Sequence, residues 1–291
     1  MSAPNATPIR HVSDTALWVA IYRAMESERP DALFHDPYAR RLGGARGEAI
    51  VAHMPSGRAM SWAMIVRTAV MDEIILRCVQ QGAATVLNLA AGLDTRAYRM
   101  ALPATLRWFH VDLPDMVGYM QEQMAGESPV CSLEYLAADM TDAAARRTIF
   151  SRAAAHGPVL VITEGLLIYL RRDQVGALAQ EVHDTARARW WLTDIASPML
   201  EQFLKRQWSS KLQQGNAPMQ FFPPEGTAFF KPFGFTEAEY RSMWDESWRL
   251  NRTMRLAWLW RMFSLVQSRA RHEAGRRMSG VVLLHDEGPK A

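Results

Sequence analysis

The most constraining feature of the chain is residues 85–99, TVLNLAAGLDTRAYR. Val86, Leu87 and Leu89 form an apolar run suited to a buried strand. Ala90-Ala91-Gly92 form a turn of small residues, and from about Asp94 the chain is able to become helical. A buried strand passing through such a turn into a helix start is how an open α/β sheet receives an anionic or nucleotide ligand. Gly92 lacks a Cβ, so the backbone bends sharply and a ligand comes close. An ordinary strand-to-helix turn has the same pattern, but the next segment favours a ligand. A second apolar run, Leu106–Val111, ends at Asp112 with Leu113 beside it, about twenty residues past the turn, where a carboxylate suits ribose hydroxyls. The turn is not GxGxxG, because Ala90, Gly92 and Thr95 occupy the three glycine positions. A dinucleotide pyrophosphate needs that close approach twice, so nicotinamide and flavin cofactors are disfavoured. S-adenosylmethionine has ribose and adenine but no phosphate and tolerates Ala90.

The rest of the chain supplies a sheet for this turn. Strands are expected at Ser132–Ala137, Pro158–Thr163 and Arg189–Ile195, with helices over Leu113–Ala125, Thr141–Ala154 and Asp173–Ala188, the last capped by Asp173. Alternating strands and helices imply a mostly parallel sheet with helices on both faces, and functional groups at the carboxyl ends of the strands. Ahead of the first strand, Asp14-Thr15 caps a helix to about Glu28 with Leu17, Ile21, Ala24 and Met25 on one stripe. HDPYARRL at 35–42 starts a short helix with Pro37 at its first position, and a longer helix is expected from Ala59 to Gln81, stopped by Gly82.

Composition narrows the function classes. The formal charge of +3, with arginine common and lysine rare, argues against a phosphate-tracking surface and hence against nucleic acid as partner. Cys78 and Cys131 are too few for a disulfide scaffold, and no CxxC or HxxxH spacing suggests a metal. The opening MSAPNATPIR has no apolar core segment, and no run long enough to span a membrane occurs. A cytoplasmic protein without membrane insertion is therefore expected. Residues 1–13 read as a tail, and oligomeric state is not legible.

NLAAGLDTRAYR resembles the NLGAGLDTR signature of the leucine carboxyl methyltransferase family. Further motifs follow in order, and the resemblance runs from about Asp14 to Pro198 with a weaker echo in the last strand. It implies a class I Rossmann-like methyltransferase fold with an N-terminal helical extension, and S-adenosylmethionine as cofactor. By the same resemblance, Arg67 of the Arg67-Thr68 pair binds the methionine carboxylate, which suits the planar fork of arginine. Glu164 in VLVITEGLLIYL takes the ammonium group, Asp139 and Met140 contact the adenine amine, and Arg23, beside Tyr22, falls where the family supplies a cation. Read without the resemblance, Arg23 and Arg67 are helix arginines and Glu164 is a capping residue. One departure concerns the acceptor: polyketide-tailoring members commonly carry Tyr-Lys after DLP, where this chain has Tyr119-Met120.

The expected domain layout is 1–58 as a helical segment over the cofactor, 59–197 with 278–287 as the methyltransferase core, and 198–277 as an aromatic-rich cap before the last strand, Gly280–Leu284. The cap holds Trp208, Phe221, Phe222, Phe229, Phe230, Phe233, Phe235, Trp244, Trp248, Trp258 and Trp260. Most of these are expected in the core, with a few free to line a pocket. The basic amphipathic run at 255–277 is expected to pack on its own domain, with a membrane surface or partner helix as the other reading.

The implied reaction is methyl transfer to oxygen, most simply to the carboxylate of a small hydrophobic or aromatic molecule. A carboxylate is already ionised and needs no base, and no His–carboxylate pair is evident. Catalytic residues are therefore not assigned, and Tyr22 and Tyr169 are the candidate substrate contacts. A phenol or alcohol acceptor needs a base, with His11, His35 and Tyr169 as candidates. A non-catalytic nucleotide-fold protein, using the aromatic and basic C-terminal region to hold a partner or membrane, is the alternative from another class.

Overall fold

The computed structural model describes residues 14–53, 57–208, 218–254, 256–265 and 268–286. Helices α1 (Asp14–Ser27), α2 (Ala39–His53) and α3 (Gly57–Gln80) precede the sheet. The alternating unit follows: β1 (Thr85–Leu89), α4 (Arg96–Arg99), β2 (Arg107–Asp112), α5 (Pro114–Gln123), β3 (Ser132–Ala137), α6 (Ala143–Ala154), β4 (Val159–Thr163), α7 (Arg172–Asp184) and β5 (Ala188–Ala196). The chain then runs through α8 (Pro198–Trp208), β6 (Phe235–Ser242), α9 (Met243–Arg249), α10 (Ala257–Leu265), α11 (Arg269–Arg276) and β7 (Ser279–Asp286). Among the described residues no helix is long and apolar enough to cross a membrane.

The seven strands lie in the order β3-β2-β1-β4-β5-β7-β6. The first five are parallel, and β7 pairs antiparallel with both β5 and β6. The strand order reverses between β1 and β4, which opens a crevice at their carboxyl ends. Strand alternation sends side chains to two cores. Val86, Trp108, Leu160 and Leu192 pack with Val70 and Ile74 of α3 and Met120 of α5. Leu87, Phe109, Val161 and Trp191 pack on the opposite face with Phe150 of α6 and Leu178 of α7. The central strands β1 and β4 are fully buried, and β4 reads as a nearly unbroken apolar run. Cys78 and Cys131 are buried free thiols.

Several expected boundaries move. The helix expected from about Asp94 starts at Arg96, since the Asp94 side chain accepts from Asn88 Nδ2 and from the Arg96 amide, each at 2.8 Å, and it is only the single turn of α4, ending where Met100 turns extended. Asp173 is not a cap. It lies in the first turn of α7, exposed, its carboxylate 2.9 Å from Arg171 Nη2. The short helix expected at 35–42 becomes α2 and reaches His53.

The expected cap is divided. Phe235–Ser242 is strand β6, so this part of 198–277 belongs to the sheet. The aromatic cluster covers the outer face of β5: Trp191 has Phe230 at 5.1 Å and Phe235 at 5.4 Å, and Phe229 meets Phe221 at 5.0 Å. These rings extend the core that α6 and α7 build on this face, where burial removes their large apolar area from water. The 255–277 run forms two helices, α10 and α11, rather than one. Residues 1–13, with His11, and residue 287 lie outside the described residues, as do the side chains of Trp208 and Trp260.

Candidate active site

The carboxyl ends of β1 to β5 converge on one cavity of about 1060 Å³. The turn after β1 is fixed first. Ala91 donates its amide to Val111 O at 3.0 Å, and Gly92 donates to Asp112 Oδ2 at 2.6 Å. Asp112 Oδ1 accepts from the Leu113 amide at 2.7 Å. Burial raises the Asp112 carboxyl above its usual range, against the pull of these two N–H groups. Ala90 and Gly92 both adopt positive φ, 51° and 55°. A Cβ on Gly92 would also stand 3.2 Å from Ala16 Cβ, so only glycine lets α1 lie against the turn. His110, beneath the turn, is 3.2 Å from Gly92 O, and burial pushes it down to about 4, so it is neutral.

The N-terminal segment closes this turn from outside. Arg23 donates to Asp36 of the HDPY stretch at 2.8 Å and to Leu93 O at 2.6 Å, and Thr95 Oγ1 donates to Asp36 at 2.7 Å. Arg23 lines the cavity, but its guanidinium also ties α1 and the HDPY stretch to the signature. Tyr22 is next to it, 2 % exposed, with its hydroxyl pushed up to about 12 by burial.

A row of charges crosses the floor. Arg67 Nη1 donates to Asp194 Oδ2 at 3.1 Å, and Arg67 Nε lies 3.0 Å from Glu164 Oε1. Glu164 Oε2 accepts from Arg96 Nη1 at 2.8 Å. Arg96 continues to Asp94 at 2.8 Å and Asp72 at 2.6 Å, and Asp72 also takes Arg99 at 2.7 Å. Burial opposes the charge on Glu164, yet the Arg96 and Arg67 guanidiniums outweigh it and hold the carboxyl below its usual range. Burial likewise opposes the charge on Arg96, and Asp94, Glu164 and Asp72 keep it firmly protonated. Asp139 and Met140 follow β3 on the cavity wall, with Asp139 Oδ1 accepting from the Thr141 amide and hydroxyl at 2.8 Å. Tyr169, in the 3₁₀ turn after β4, completes this side.

The cavity thus brings together Arg23, Arg67, Ala90, Gly92, Asp112, Leu113, Asp139, Met140, Glu164, Tyr22 and Tyr169. His35 is exposed and does not line it. Several lining residues escape sequence reasoning, among them Arg96, Asp194 and His272. Asp194, at the end of β5, has no motif around it. His272 is the one histidine lining the cavity among the described residues, and it sits exposed on α11. The far wall is mostly apolar, lined by Trp18 and Trp62 from the N-terminal helices and by Phe203, Phe221, Met243 and Trp244 from the C-terminal half, with His272 and Arg276 of α11 as its polar members.

The family description leucine carboxyl methyltransferase matches residues 16–183. The chain belongs to the leucine carboxyl methyltransferase family. It is 35% identical over 181 residues to a provisionally named S-adenosyl-L-methionine-dependent methyltransferase of Parafrankia sp., covering 59% of this chain and 58% of that one. A similarly named Streptomyces coelicolor protein is 34% identical over 206 residues, 65% of this chain and 71% of that one. The chain therefore spans less than two thirds of the Parafrankia relative. Two solved structures share the fold, each with a TM-score of 0.56: a duf574 family protein from Streptomyces avermitilis (14% identity, 96% of this chain and 98% of that one) and a provisionally named Thermobifida fusca methyltransferase (16% identity, 97% and 96%). The family's cofactor is S-adenosylmethionine. The floor's donor set fits such a molecule chemically: a guanidinium and a carboxylate stand side by side at Arg67 and Glu164, and a further carboxylate, Asp112, ends β2.

Proposed function

We propose that this chain is an S-adenosylmethionine-dependent O-methyltransferase whose acceptor is the carboxylate of a small hydrophobic or aromatic molecule. The observation that carries this reading is the division of a single cavity into a charged floor at the strand ends and an apolar far wall. The volume of about 1060 Å³ lies just above the range for one ligand, roughly 300–1,000 Å³, and suits a cofactor with a small acceptor beside it. In this reading Arg67 and Glu164 hold the amino-acid end, Asp112 the ribose, and Asp139 with Met140 the adenine edge. Leu113, Ala90 and Gly92 shape the pocket, and Arg23 anchors its roof. S-adenosylmethionine supplies an electrophilic methyl group when bound. Tyr22, Tyr169 and the apolar wall orient the acceptor and exclude water, which is most of what an already ionised nucleophile requires.

The acceptor class is tested by product chemistry. The protein is incubated with methyl-labelled cofactor and a panel of aromatic and aliphatic acids, and labelled product is exposed to mild alkali. Rapid release of methanol is expected from an ester. Alkali-stable label would move the assignment to a hydroxyl acceptor. The position of His272 favours that second reading enough to test it: turnover should survive His272→Ala if the acceptor is a carboxylate, and should collapse if His272 is the base. Binding of cofactor without turnover across the panel would favour a non-catalytic role.

A further inference from the structure

Four side chains on the cavity floor form a row of alternating sign: Asp194, Arg67, Glu164 and Arg96. The two outer contacts are hydrogen-bonded ion pairs, Asp194–Arg67 at 3.1 Å and Glu164–Arg96 at 2.8 Å. The inner contact differs. Arg67 Nε is 3.0 Å from Glu164 Oε1, but its N–H is not aimed at that oxygen, and this buried atom has no hydrogen-bond partner. A buried charge pair lacking its hydrogen bond is the weakest link of such a row.

Building on the cofactor reading above, we infer that the Arg67–Glu164 contact is a placeholder, opened by the cofactor's amino-acid zwitterion, and that Asp194 is the positioning residue that keeps Arg67 charged and aimed while it opens. Inserted between Arg67 and Glu164, a carboxylate and an ammonium preserve the alternation along the row. Arg67 exchanges one carboxylate for another, and Glu164 exchanges a guanidinium for an ammonium. Neither is stranded, because Asp194 and Arg96 remain on their outer sides. Without Asp194, Arg67 would have Glu164 as its sole carboxylate among the described residues, and separating them would cost more. Asp194 has a second attachment. Its Oδ1 accepts from the Gly165 amide at 2.6 Å, so one carboxylate sets both Arg67 and the backbone beside Glu164. Gly165 has φ +65°, and a Cβ there would stand 3.3 Å from Arg67 Nη1, which shows how tightly the three groups are packed.

The experiment compares two probes by calorimetry. S-adenosylhomocysteine carries the amino-acid end, whereas 5′-methylthioadenosine lacks it. Asp194→Asn retains an oxygen for the Gly165 amide but removes the charge facing Arg67. It should weaken S-adenosylhomocysteine by roughly tenfold or more and leave 5′-methylthioadenosine within about twofold. Equal loss for both probes would reduce Asp194 to a structural role, and no loss for either would also overturn the inference. Failure of the wild-type protein to bind either probe would instead overturn the cofactor reading itself. Should the variant not fold, a crystal structure of the wild type with S-adenosylhomocysteine decides. The Arg67–Glu164 contact should be open and the Asp194–Arg67 contact intact. A preserved Arg67–Glu164 pair would refute the insertion.

Discussion

On the floor of the cavity, Arg96 is 3 % exposed and within 2.8 Å of three carboxylates, those of Asp72, Asp94 and Glu164. On the wall, Trp62, Phe203 and Trp244 come from α3, α8 and α9, and Phe203 is 43 % exposed. The floor is over-determined by directional contacts that tolerate little change. The wall is an assembly of apolar surfaces brought in by helices outside the alternating unit. Directional ion pairs fix one geometry, whereas apolar contacts accept many shapes. The contrast is between a floor that fixes one geometry and a wall that accommodates many.

The largest test of this contrast is Arg96→Ala. It leaves three largely buried carboxylates, 11–17 % exposed, short of a partner and should cost about 3 kcal/mol in urea unfolding. A cost below about 1 kcal/mol would mean that the floor is held by packing, as the wall is. His110 gives the next effect. It is neutral when folded and accepts a proton only near pH 4, whereas the unfolded imidazole does so near 6.5. The unfolded chain therefore binds more protons between those values, and the His110 contribution is full above about pH 6.5 and lost as pH falls toward 4. By pH 5 the loss should reach about 2 kcal/mol, seen as the difference between wild type and His110→Gln in unfolding at pH 7 and pH 5. Identical pH profiles would show that His110 is solvated.

Binding sharpens the contrast further. Asp112→Ala should weaken S-adenosylhomocysteine by more than about tenfold with native circular dichroism, since a charged acceptor is lost. Trp244→Ala, on the wall, should change that affinity by less than about twofold. A reversal of these two results would exchange the roles given to floor and wall. The smallest effect on stability belongs to the turn. Ala90 occupies left-handed backbone at φ 51°, where the family signature has glycine. Ala90→Gly should raise stability by about 1 kcal/mol by removing that strain, read as a higher denaturant midpoint with unchanged slope. A lower midpoint would show that Ala90 is compensated by packing.

The strands of the parallel half were legible where apolar residues dominate both faces, as in the fully buried VLVIT of β4, and the expected Ser132–Ala137 and the strand end at Asp112 agree with β3 and β2. Strand β6 was not legible. FTEAEYRS is a half-exposed edge in which six of eight side chains are charged or hydroxyl-bearing, and its register shifts between Glu237 and Glu239, which breaks the period-two signal. The floor was legible where a motif named its residues, as at Arg67, Asp112 and Glu164. Asp194 was invisible because TDIAS reads as an ordinary strand end. Its importance lies in reaching Arg67, 127 positions away in sequence. His272 was hidden similarly, since a histidine in an arginine-rich helix reads as a solvated face.

Strand β7 is synthesised after β6 yet lies between β5 and β6 in the finished sheet. Throughout synthesis of residues 197–278, β5 is therefore an open edge with no neighbour on that side. Its nine residues include Trp190, Trp191 and Leu192, the residues later matched to His285, Leu284 and Leu283. Such an apolar edge is a template for pairing with another chain. The topology that places the cavity at the strand ends thus also sets a vulnerable interval on the ribosome, which closes only when residues 279–286 slot in and shield the edge.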